Sequence, residues 1–496
     1  YSKKQTQIFK STFRNFKIIL MKIKVIQRIE KDGQVTGVLN YGTLGGTGVF
    51  TVDMATIQSA DNFDEFKDKL KQLIDRDKPK VINGVSSHFE DFEKKIKIFG
   101  KEVIENSAIL QLENCLSSPE DIGVLTADAH FGYAHPIGGA IAYKDKVSLS
   151  GVGFDIACGN KAVLTNIKAS DINVRKIMKE IERQIGFGTG RPNPKPIDHE
   201  VLDKIAHADF EPQRAMIKMA TEQLGTVGSG NHFVDLFEDE NGFVWIGVHF
   251  GSRGFGHKTT TGFIALSKGM PWTATVQEGA KDARPVLFDT NTELGQAYIN
   301  AVQLAGDYAY AGRDVVVDKV LEILGGKASY GVHNHHNFLW QEEHFGEKYW
   351  VVRKGCTPAF PGQQGFIGAN MRDNSVIVEG VDSPESRAGL YSTVHGAGRI
   401  LSRTKASGKG KWQKTSKGNR HKIIHTPGVV DWSKVKKEMK DADIVLVGAG
   451  ADEAPECYKK LDEVLEYQGS TIKIIHTLRP IGVAMAGSDI TDPYRD

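Results

Sequence analysis

The sequence predicts a mixed α/β (α+β) fold in which central β-sheets are flanked by helices. Short, continuous apolar runs bounded by glycine and polar residues are typical of buried strands. At least one segment carries apolar residues at helical spacing. Strands and helices alternate too irregularly for a repeated βαβ array. The length of 496 residues fits one large domain or several small ones.

The clearest helix is predicted over residues 171–186. Asp171 is a suitable N-cap, because a short acidic side chain accepts hydrogen bonds from the first free backbone N–H groups. Gly186 is suited to end the helix. The apolar stripe between them consists of Val174, Ile177, Met178, Ile181 and Ile185.

Three buried strands are predicted, over residues 243–248, 444–447 and 472–475. The first strand would deliver His249 at its end, before the turn Gly251-Ser252-Arg253-Gly254. A histidine at such a strand end is well placed to contribute to a site.

The composition is that of an ordinary globular enzyme, with 40% apolar and 25% charged residues and 53 glycines. A net charge of +2 means that any nucleic-acid surface must be a local patch. No apolar run approaches the roughly 18 residues that a membrane span needs. The four cysteines are widely separated and form no CxxC pair, which argues against a disulfide scaffold and for a reducing, cytoplasmic location.

The first twenty residues contain five lysines or arginines and no acid. We interpret residues 1–20 as a non-native, upstream-extended or disordered segment, with Met21 as the natural start. A targeting peptide is the alternative.

The most informative segment joins Asp155 to Cys158 on a glycine-flanked turn. A thiolate can bridge two cations, and a carboxylate three residues earlier could bind one of them. His232, His249 and His336 are candidates for the remaining ligands, because neutral imidazole is a good metal donor. Thiolate and imidazole favour zinc, whereas carboxylate and phosphate oxygens favour manganese or magnesium, so the residues leave the metal undecided.

His395 stands in a different setting, in Val394-His395-Gly396-Ala397-Gly398-Arg399. Small residues there clear space and point backbone N–H groups at an anion. The imidazole could be a ligand, a general acid, or a nucleophile that forms a phosphoramidate. Arg399 and Arg253 could each clamp phosphate oxygens through a bidentate fork.

The segment 399–422 contains nine lysines or arginines and no acid, with Trp412 in its middle. Two interpretations stay open. It is either a solvated loop or a surface that contacts phosphates.

Several phosphate and metal signatures are absent. There is no GxxxxGK[ST] loop and no HExxH motif, and Gly448-Ala449-Gly450 lacks the third glycine of a dinucleotide site. The Lys-x-Asp-Gly sequence of lysine-adenylating ligases is also absent. If a nucleotide is carried covalently, a histidine must therefore hold it.

With these residues in view, the chain resembles the RtcB family of RNA-splicing ligases over about residues 21–487. The matching segments occur in family order: Asp128-Ala129-His130-Phe131-Gly132-Tyr133, Pro136-Ile137-Gly138-Gly139, residues 151–159, residues 228–233, residues 249–254, His336-Asn337, Arg353-Lys354-Gly355, residues 395–399 with Ser402-Arg403, and Asp452-Glu453-Ala454-Pro455 with Tyr458-Lys459. Any one match is weak, but together they make chance very unlikely.

The resemblance implies a GTP-dependent ligase that uses two Mn²⁺ ions. Such an enzyme joins an RNA 3′-phosphate or 2′,3′-cyclic phosphate end to a 5′-hydroxyl end, in tRNA splicing or RNA repair. By analogy, Cys158 bridges the metals, Asp155 and His232 complete one site, and His249 and His336 complete the other. His395 would carry GMP.

Further roles follow from the same resemblance. The nucleotide-binding residues would be Asn231, Phe233, Asp235, Asn337, Asn370, Ser375, Gly396, Ala397, Gly398, Arg399 and Tyr458. Arg253 and Arg403 would contact RNA. The resemblance also implies one RtcB-like catalytic domain over residues 21–487 around a dimetal cleft, followed by a short tail over residues 488–496. We expect a monomer without membrane association, and an archease-like activator is a candidate partner.

The chain departs from the common family pattern in its nucleotide pocket. Asp235 stands where the family has glutamate, Asn370 where serine or alanine is usual, and Ala486 where a lysine usually contacts guanine. Guanine specificity is therefore less certain than the ligation chemistry.

Two other classes of function remain as alternatives. A dimetal phosphoesterase would hydrolyse cyclic phosphates without any nucleotide. A non-catalytic RNA-binding module would use the basic segment but would not need the Asp-Cys-His constellation.

Overall fold

The computed structural model describes residues 94–276, 281, 283–414, 420–488 and 490, and the backbone of five strands between residues 24 and 89. For residues 411–414 and 420–423 it describes the backbone only. The N-terminal segment 1–20 and most of the tail 488–496 lie outside the described residues. Within the described residues, no helix combines the length and the apolar character that crossing a membrane would require.

The first twelve strands run from the N-terminal part of the chain to the middle. They are β1 (Lys24–Lys31), β2 (Gln34–Asn40), β3 (Thr47–Asp53), β4 (Lys80–Ile82), β5 (Val85–Phe89), β6 (Lys95–Ile98), β7 (Ile122–His130), β8 (Ile137–Tyr143), β9 (Lys146–Ser148), β10 (Gly159–Lys168), β11 (Phe233–Glu238) and β12 (Phe243–His249).

Twelve further strands lie in the rest of the described residues. They are β13 (Leu287–Asp289), β14 (Ala328–His335), β15 (Asn337–His344), β16 (Glu347–Lys354), β17 (Cys356–Pro358), β18 (Gln364–Ile367), β19 (Ser375–Gly380), β20 (Ser392–Val394), β21 (Lys409–Lys414), β22 (Arg420–Thr426), β23 (Val445–Val447) and β24 (Ile472–Met485).

The helices within the described residues vary from one turn to 32 residues. They are α1 (Asn106–Cys115), α2 (Leu149–Val152), α3 (Val174–Gln184), α4 (Glu200–Ala206), α5 (Glu211–Arg214), α6 (Ile217–Gln223), α7 (Arg253–Ser267), α8 (Glu293–Leu324), α9 (Pro384–Ala388), α10 (Arg403–Ser407), α11 (Trp432–Asp441) and α12 (Leu461–Glu466). This composition confirms the mixed α/β prediction.

The central sheet has the strand order β14-β10-β12-β11-β24-β19-β18, and β23 pairs in parallel with β24. A second sheet has the order β15-β16-β8-β7-β6, and a third, N-terminal sheet the order β1-β2-β3-β5-β4. Three two-stranded sheets, β13-β9, β17-β20 and β21-β22, complete the topology.

Helices cover both faces of the central sheet. On β12, Val244, Ile246 and Val248 alternate with Trp245, and all four are buried. The first three pack in one core cluster with residues of α3 and α8, whereas Trp245 packs in a second cluster with residues of α11. Because helices pack on both faces, the ends and edges of the sheet are the parts left open for a site.

The predicted helix over residues 171–186 is confirmed, but its predicted cap was wrong. Asp171 lies in a short 3₁₀ turn, Ala169–Asp171, and the next residue is extended. The helix begins at Val174, and the side chain of Asn173 accepts a hydrogen bond from the backbone N–H of Lys176. The extra turn moves the first free N–H groups two residues along the chain, out of reach of Asp171.

The three predicted strands are present with altered lengths. Residues 243–248 extend to His249 in β12, and residues 444–447 shorten to β23. Residues 472–475 are only the start of β24, which spans 14 residues. β24 lies between β11 and β19, and its pairing with each of them contains a register shift.

Candidate active site

The predicted metal ligands lie at one end of the central sheet. β10 begins directly after Cys158, and its first residues pair with the last residues of β12 and β14. β11 begins directly after His232 and pairs its first residue with His249. Because neighbouring strands are antiparallel, the start of one strand lies beside the end of the next. This topology brings residues from four separate segments to the same end of the central sheet.

The first candidate metal cluster consists of Asp155, Cys158 and His232. His232 Nε2 lies 3.0 Å from Asp155 Oδ2 and 3.6 Å from Cys158 Sγ. Ligand atoms that share one ion, each at about 2.0–2.3 Å from it, stand at such separations. The arrangement therefore fits a single cation.

The second candidate cluster consists of Cys158, His249 and His336, all of which are buried. His249 Nε2 lies 3.2 Å from Cys158 Sγ, and the rings of His249 and His336 have centroids 5.1 Å apart. Because both clusters include Cys158, its sulfur is positioned to bridge two cations. The donors that fit such ions are one thiolate, one carboxylate and three imidazoles.

The surroundings set the protonation states of these donors. Burial lowers the pKa of His249 and of His336 well below its ordinary value, so both rings are neutral and able to donate to a metal. Burial acts to raise the pKa of Asp155, but the neighbouring His232 and hydrogen bonds outweigh it and lower the pKa to about 2.

The pKa of Cys158 is shifted in the opposite direction, upward. Burial, and then the adjacent Asp155 carboxylate, raise the pKa of its thiol well above the ordinary value. A divalent cation in contact with the sulfur reverses this balance, because metal binding requires the thiolate and displaces the proton.

Backbone hydrogen bonds hold the loop that carries the sulfur. The carbonyl oxygen of Cys158 accepts from the N–H groups of His336, at 2.8 Å, and Asn337, at 3.2 Å. Gly251 lies directly against this loop, and a Cβ atom there would stand 2.3 Å from Asp155 Oδ1. The glycine is thus required by the close approach of backbone and ligand.

His395 follows β20 and lies next to the second cluster, with its ring centroid 5.0 Å from that of His336. Its Nδ1 lies 2.6 Å from Asp128 Oδ2, and the same oxygen accepts from the backbone N–H groups of His395, at 3.1 Å, and Gly396, at 3.4 Å. The anion that these backbone groups bind is therefore a protein carboxylate. Nδ1 is engaged, so Nε2 is the nitrogen left to react.

Asp128 is fully buried, and it was missed by sequence reasoning as a functional residue. Burial acts to raise its pKa, but the His395 imidazole and several hydrogen bonds outweigh burial and lower the pKa below its ordinary value. This partner holds the His395 ring in one orientation through the contact at Nδ1. The signal available in the sequence was the family-like segment that begins with Asp128.

A cavity of about 480 Å³ opens beside His395 and His249. Its lining includes Arg403 and most of the residues predicted to bind nucleotide: Asn231, Phe233, Asp235, Asn370, Gly396, Ala397, Gly398, Arg399 and Tyr458. This volume falls within the usual range for small-ligand sites, about 300–1,000 Å³.

Three predicted binding residues support backbone near the site and are absent from the cavity lining. Ser375 Oγ accepts from the backbone N–H of Ala369. Asn337 donates to the Asp155 carbonyl and accepts from the Gly355 N–H. Arg253 donates to Thr226 and to the Gly188 carbonyl.

Arg399 and Arg403 are both paired with Glu453. Arg399 Nη2 lies 2.7 Å from Glu453 Oε2 and 2.6 Å from the Tyr458 hydroxyl, and Arg403 contacts the other oxygen of Glu453. Arg403 Nη1 also lies 3.5 Å from Asp452 Oδ2. The charges of Arg399 and Arg403 are therefore compensated. No role for Glu453 was predicted from the sequence.

Of the two departures from the family pattern at Asp235 and Ala486, only Asp235 lines the cavity. Burial raises the pKa of Asp235 well above its ordinary value, and its Oδ1 accepts from the backbone N–H of Ala484 at 3.3 Å. Ala486 lines a small adjoining hollow together with Asp452 and Glu453.

The described residues of the basic segment 399–422 include regular secondary structure. Its residues enter α10 and then the antiparallel hairpin of β21 and β22. The side chain of Trp412 lies outside the described residues. Contact with phosphates stays a prediction for this segment.

Comparisons with known proteins agree with this architecture. A family model described as "tRNA-splicing ligase RtcB" matches residues 111–486. The "RNA-splicing ligase RtcB" of Escherichia coli (strain K12) is 31% identical over 417 residues, which cover 78% of this chain and 96% of the relative.

More distant relatives come from archaea. The "tRNA-splicing ligase RtcB" of Archaeoglobus fulgidus is 27% identical, covering 77% of this chain and 92% of the relative. The protein of the same name from Thermococcus kodakarensis is 25% identical, covering 82% and 98%.

Proposed function

Because this chain belongs to the RtcB family of RNA-splicing ligases, we propose that it is an RNA ligase that joins 3′-phosphate or 2′,3′-cyclic phosphate ends to 5′-hydroxyl ends. We further propose that it uses two Mn²⁺ ions and GTP, and that His395 carries the nucleotide. The observation that carries this proposal is the position of His395, with Nδ1 bound to Asp128 and its ring beside the two donor clusters that share Cys158.

The donor set supports a pair of divalent cations. Asp155 and His232 would complete one site, and His249 and His336 the other, with Cys158 common to both. When bound, two cations neutralise phosphate charge and so favour attack at phosphorus.

The first chemical step would load the histidine. The His395 Nε2 lone pair attacks the α-phosphorus of GTP, an N–P bond forms, and the P–O bond to pyrophosphate breaks. Asp128 accepts the Nδ1–H hydrogen bond throughout, so it stabilises the positive charge that develops on the ring.

The remaining steps would transfer the nucleotide and seal the strand. Water opens a cyclic phosphate to the 3′-phosphate, whose oxygen attacks the same α-phosphorus and releases His395. The 5′-hydroxyl then attacks the 3′-phosphorus, and GMP leaves. Splitting the reaction in this way replaces a poor leaving group by a nucleotide.

The nucleotide would occupy the cavity of about 480 Å³. Phe233 lies on its wall, where an aromatic ring can stack on a base. Arg399 and Arg403 are available for phosphate oxygens only if the ligand competes with Glu453 for them.

Labelling with α-labelled GTP and Mn²⁺ tests the proposal. The wild-type protein should form an acid-labile labelled adduct and should join RNA ends, and His395→Ala should do neither. His425→Ala, which alters an exposed histidine outside the site, should behave as the wild type. An adduct of equal yield in His395→Ala would show that another residue carries the nucleotide.

The same assay separates ligation from hydrolysis. Opening of a cyclic phosphate without nucleotide, and with no joined product, would identify a dimetal phosphoesterase instead. Parallel reactions with the other nucleoside triphosphates would determine the choice of base, which the Asp235 and Ala486 departures put in question.

A further inference from the structure

Beneath the candidate metal site lies a completely buried arginine on helix α8, Arg313. Among the described residues, its hydrogen-bond partners are all neutral. Nε donates to His333 Nε2 at 2.8 Å, and Nη2 donates to His335 Nδ1 at 2.9 Å. A buried cation without a carboxylate in its hydrogen-bonding shell is costly, so its retention calls for a specific role.

The other arm of the guanidinium joins the two loops that carry metal ligands. Nη1 donates to the carbonyl of Ala157, at 3.0 Å, and to the carbonyl of Phe250, at 2.6 Å. Ala157 directly precedes Cys158, and Phe250 directly follows His249. One nitrogen atom thus connects the backbone beside the bridging sulfur with the backbone beside a second-cluster imidazole.

The Ala157 loop needs such support. Ala157 has φ +58°, in the left-handed region that a residue with a side chain rarely adopts. Residues held in that region are strained and persist only where surrounding contacts determine them. Arg313 supplies one of those contacts, and the 2.7 Å bond from the Ala157 N–H to the Asn337 carbonyl supplies another.

The two imidazoles that accept hydrogen bonds from the guanidinium are themselves held in place, and they fix its orientation. Tyr310 lies with its ring centroid 3.8 Å from that of His335 and 4.3 Å from that of His333. His333 Nδ1 in turn lies 3.4 Å from Asp314 Oδ1, which pairs with Lys161 at 2.6 Å. A planar group held on three sides can present its donors at fixed positions, which a flexible ammonium cannot do.

We propose that Arg313 is a positioning residue for the dimetal site, and that it sets the separation between the Cys158 sulfur and the His249 imidazole. None of its hydrogen bonds goes to a metal-ligand side chain, and it acts through the Ala157 and Phe250 carbonyls. This inference rests on the metal site of the proposed function.

Cobalt titration of the full-length protein tests the proposal without any catalytic readout. Co²⁺ reports thiolate and imidazole ligation through its charge-transfer and d–d absorption. In Arg313→Lys the ammonium cannot replace the fork, so at least one Co²⁺ should bind about tenfold or more weakly. The d–d spectrum should change as well, while circular dichroism stays that of the wild type.

Arg353→Lys is the matched control. Arg353 is equally buried and also uses its fork, but its partners are Glu342, Ser392 and the Leu390 carbonyl. It should lose thermal stability to a similar degree and keep the Co²⁺ spectrum and affinity. Equal spectral changes in both variants would mean that Arg313 acts only through general stability, and would overturn the inference.

The remaining outcomes are also decisive. If the wild-type protein binds no stoichiometric Co²⁺, the proposed function itself fails. If the wild type binds Co²⁺ and Arg313→Lys gives the same affinity and spectrum, only the role of Arg313 fails. Should Arg313→Lys not fold, His333→Leu removes a single acceptor from the guanidinium, and an unchanged spectrum in that variant would refute the proposal.

Discussion

Replacing Asp128 by asparagine tests whether charge, beyond shape, prepares His395 for reaction. The substitution can keep the hydrogen bonds around residue 128, because the Thr126 hydroxyl lies 2.6 Å from Asp128 Oδ1 and 3.0 Å from the Gly138 carbonyl. An asparagine with its oxygen at the Oδ2 position keeps both hydrogen bonds from His395. Its amide then donates to Thr126, whose proton turns to the Gly138 carbonyl.

The expected loss follows from the change in hydrogen-bond type. A hydrogen bond to a charged group contributes about 1.5–3 kcal/mol, whereas a neutral one contributes about 0.5–1.5 kcal/mol. The difference of roughly 1–1.5 kcal/mol corresponds to about a tenfold slower loading of His395. Asp128→Ala removes the bond and frees the ring, so a loss of about a hundredfold is expected.

Single-turnover labelling with α-labelled GTP measures this rate directly. Asp239→Asn is a suitable control, because Asp239 is also buried and hydrogen-bonded, in this case to Trp245 and two backbone N–H groups between β11 and β12. It should load at the wild-type rate. Wild-type loading by Asp128→Ala would refute the assigned role, and equal loss in Asp128→Asn and Asp128→Ala would show that charge is the whole effect.

Three further predictions concern the metal and the base. Burial and the neighbouring Asp155 raise the pKa of Cys158, so a cation that binds the sulfur must displace its proton. The affinity for Mn²⁺ should therefore rise about tenfold per pH unit at pH values below that pKa. A flat pH dependence in Mn²⁺ titrations would contradict this. Cys158→Ser should weaken Mn²⁺ binding at least about tenfold, because the serine hydroxyl loses its proton far less readily than the cysteine thiol. The circular dichroism spectrum should stay that of the wild type. Ala486→Lys should increase the preference for GTP over ATP by about tenfold. The measurement is the relative yield of the two adducts at limiting nucleotide. An unchanged ratio would show that residue 486 does not determine base specificity.

The candidate metal site was largely accessible from residue types and local pattern. Asp155 and Cys158 lie three residues apart on a glycine-flanked turn, and the histidines adjoin strand ends or glycines. The structure places these groups within 4.8 Å of one another in two clusters. Their convergence follows from antiparallel pairing of β14, β10, β12 and β11, which no local pattern specifies.

Partners distant in sequence were the main omission. Asp128 and His395 are 267 positions apart, and nothing near either residue indicates their contact. Arg313 was not singled out, because a lone arginine within a long helix is indistinguishable from a solvated one until its burial is known. Arg399 was predicted to bind phosphate oxygens, and its ion pair with Glu453 was not foreseen.

Errors in the predicted helix cap and strand bounds also arose because contacts outside the local pattern decided them. Asp171 is a good capping residue by type, yet a preceding 3₁₀ turn gives that role to Asn173. The strand predicted over residues 472–475 continues to Met485, because pairing with β19 and β11 stabilises extended backbone past the apolar run.

By itself the sequence determined the fold class, the chemical identity of the donors and the resemblance to a ligase family, because these depend on residue type and spacing. Only the tertiary structure decided which donors lie close enough to share an ion, which carboxylate orients His395 and which charges on the cavity wall are already paired. Those are properties of distance and burial between segments far apart in the chain. They arise only when the sheet aligns the ends of its strands.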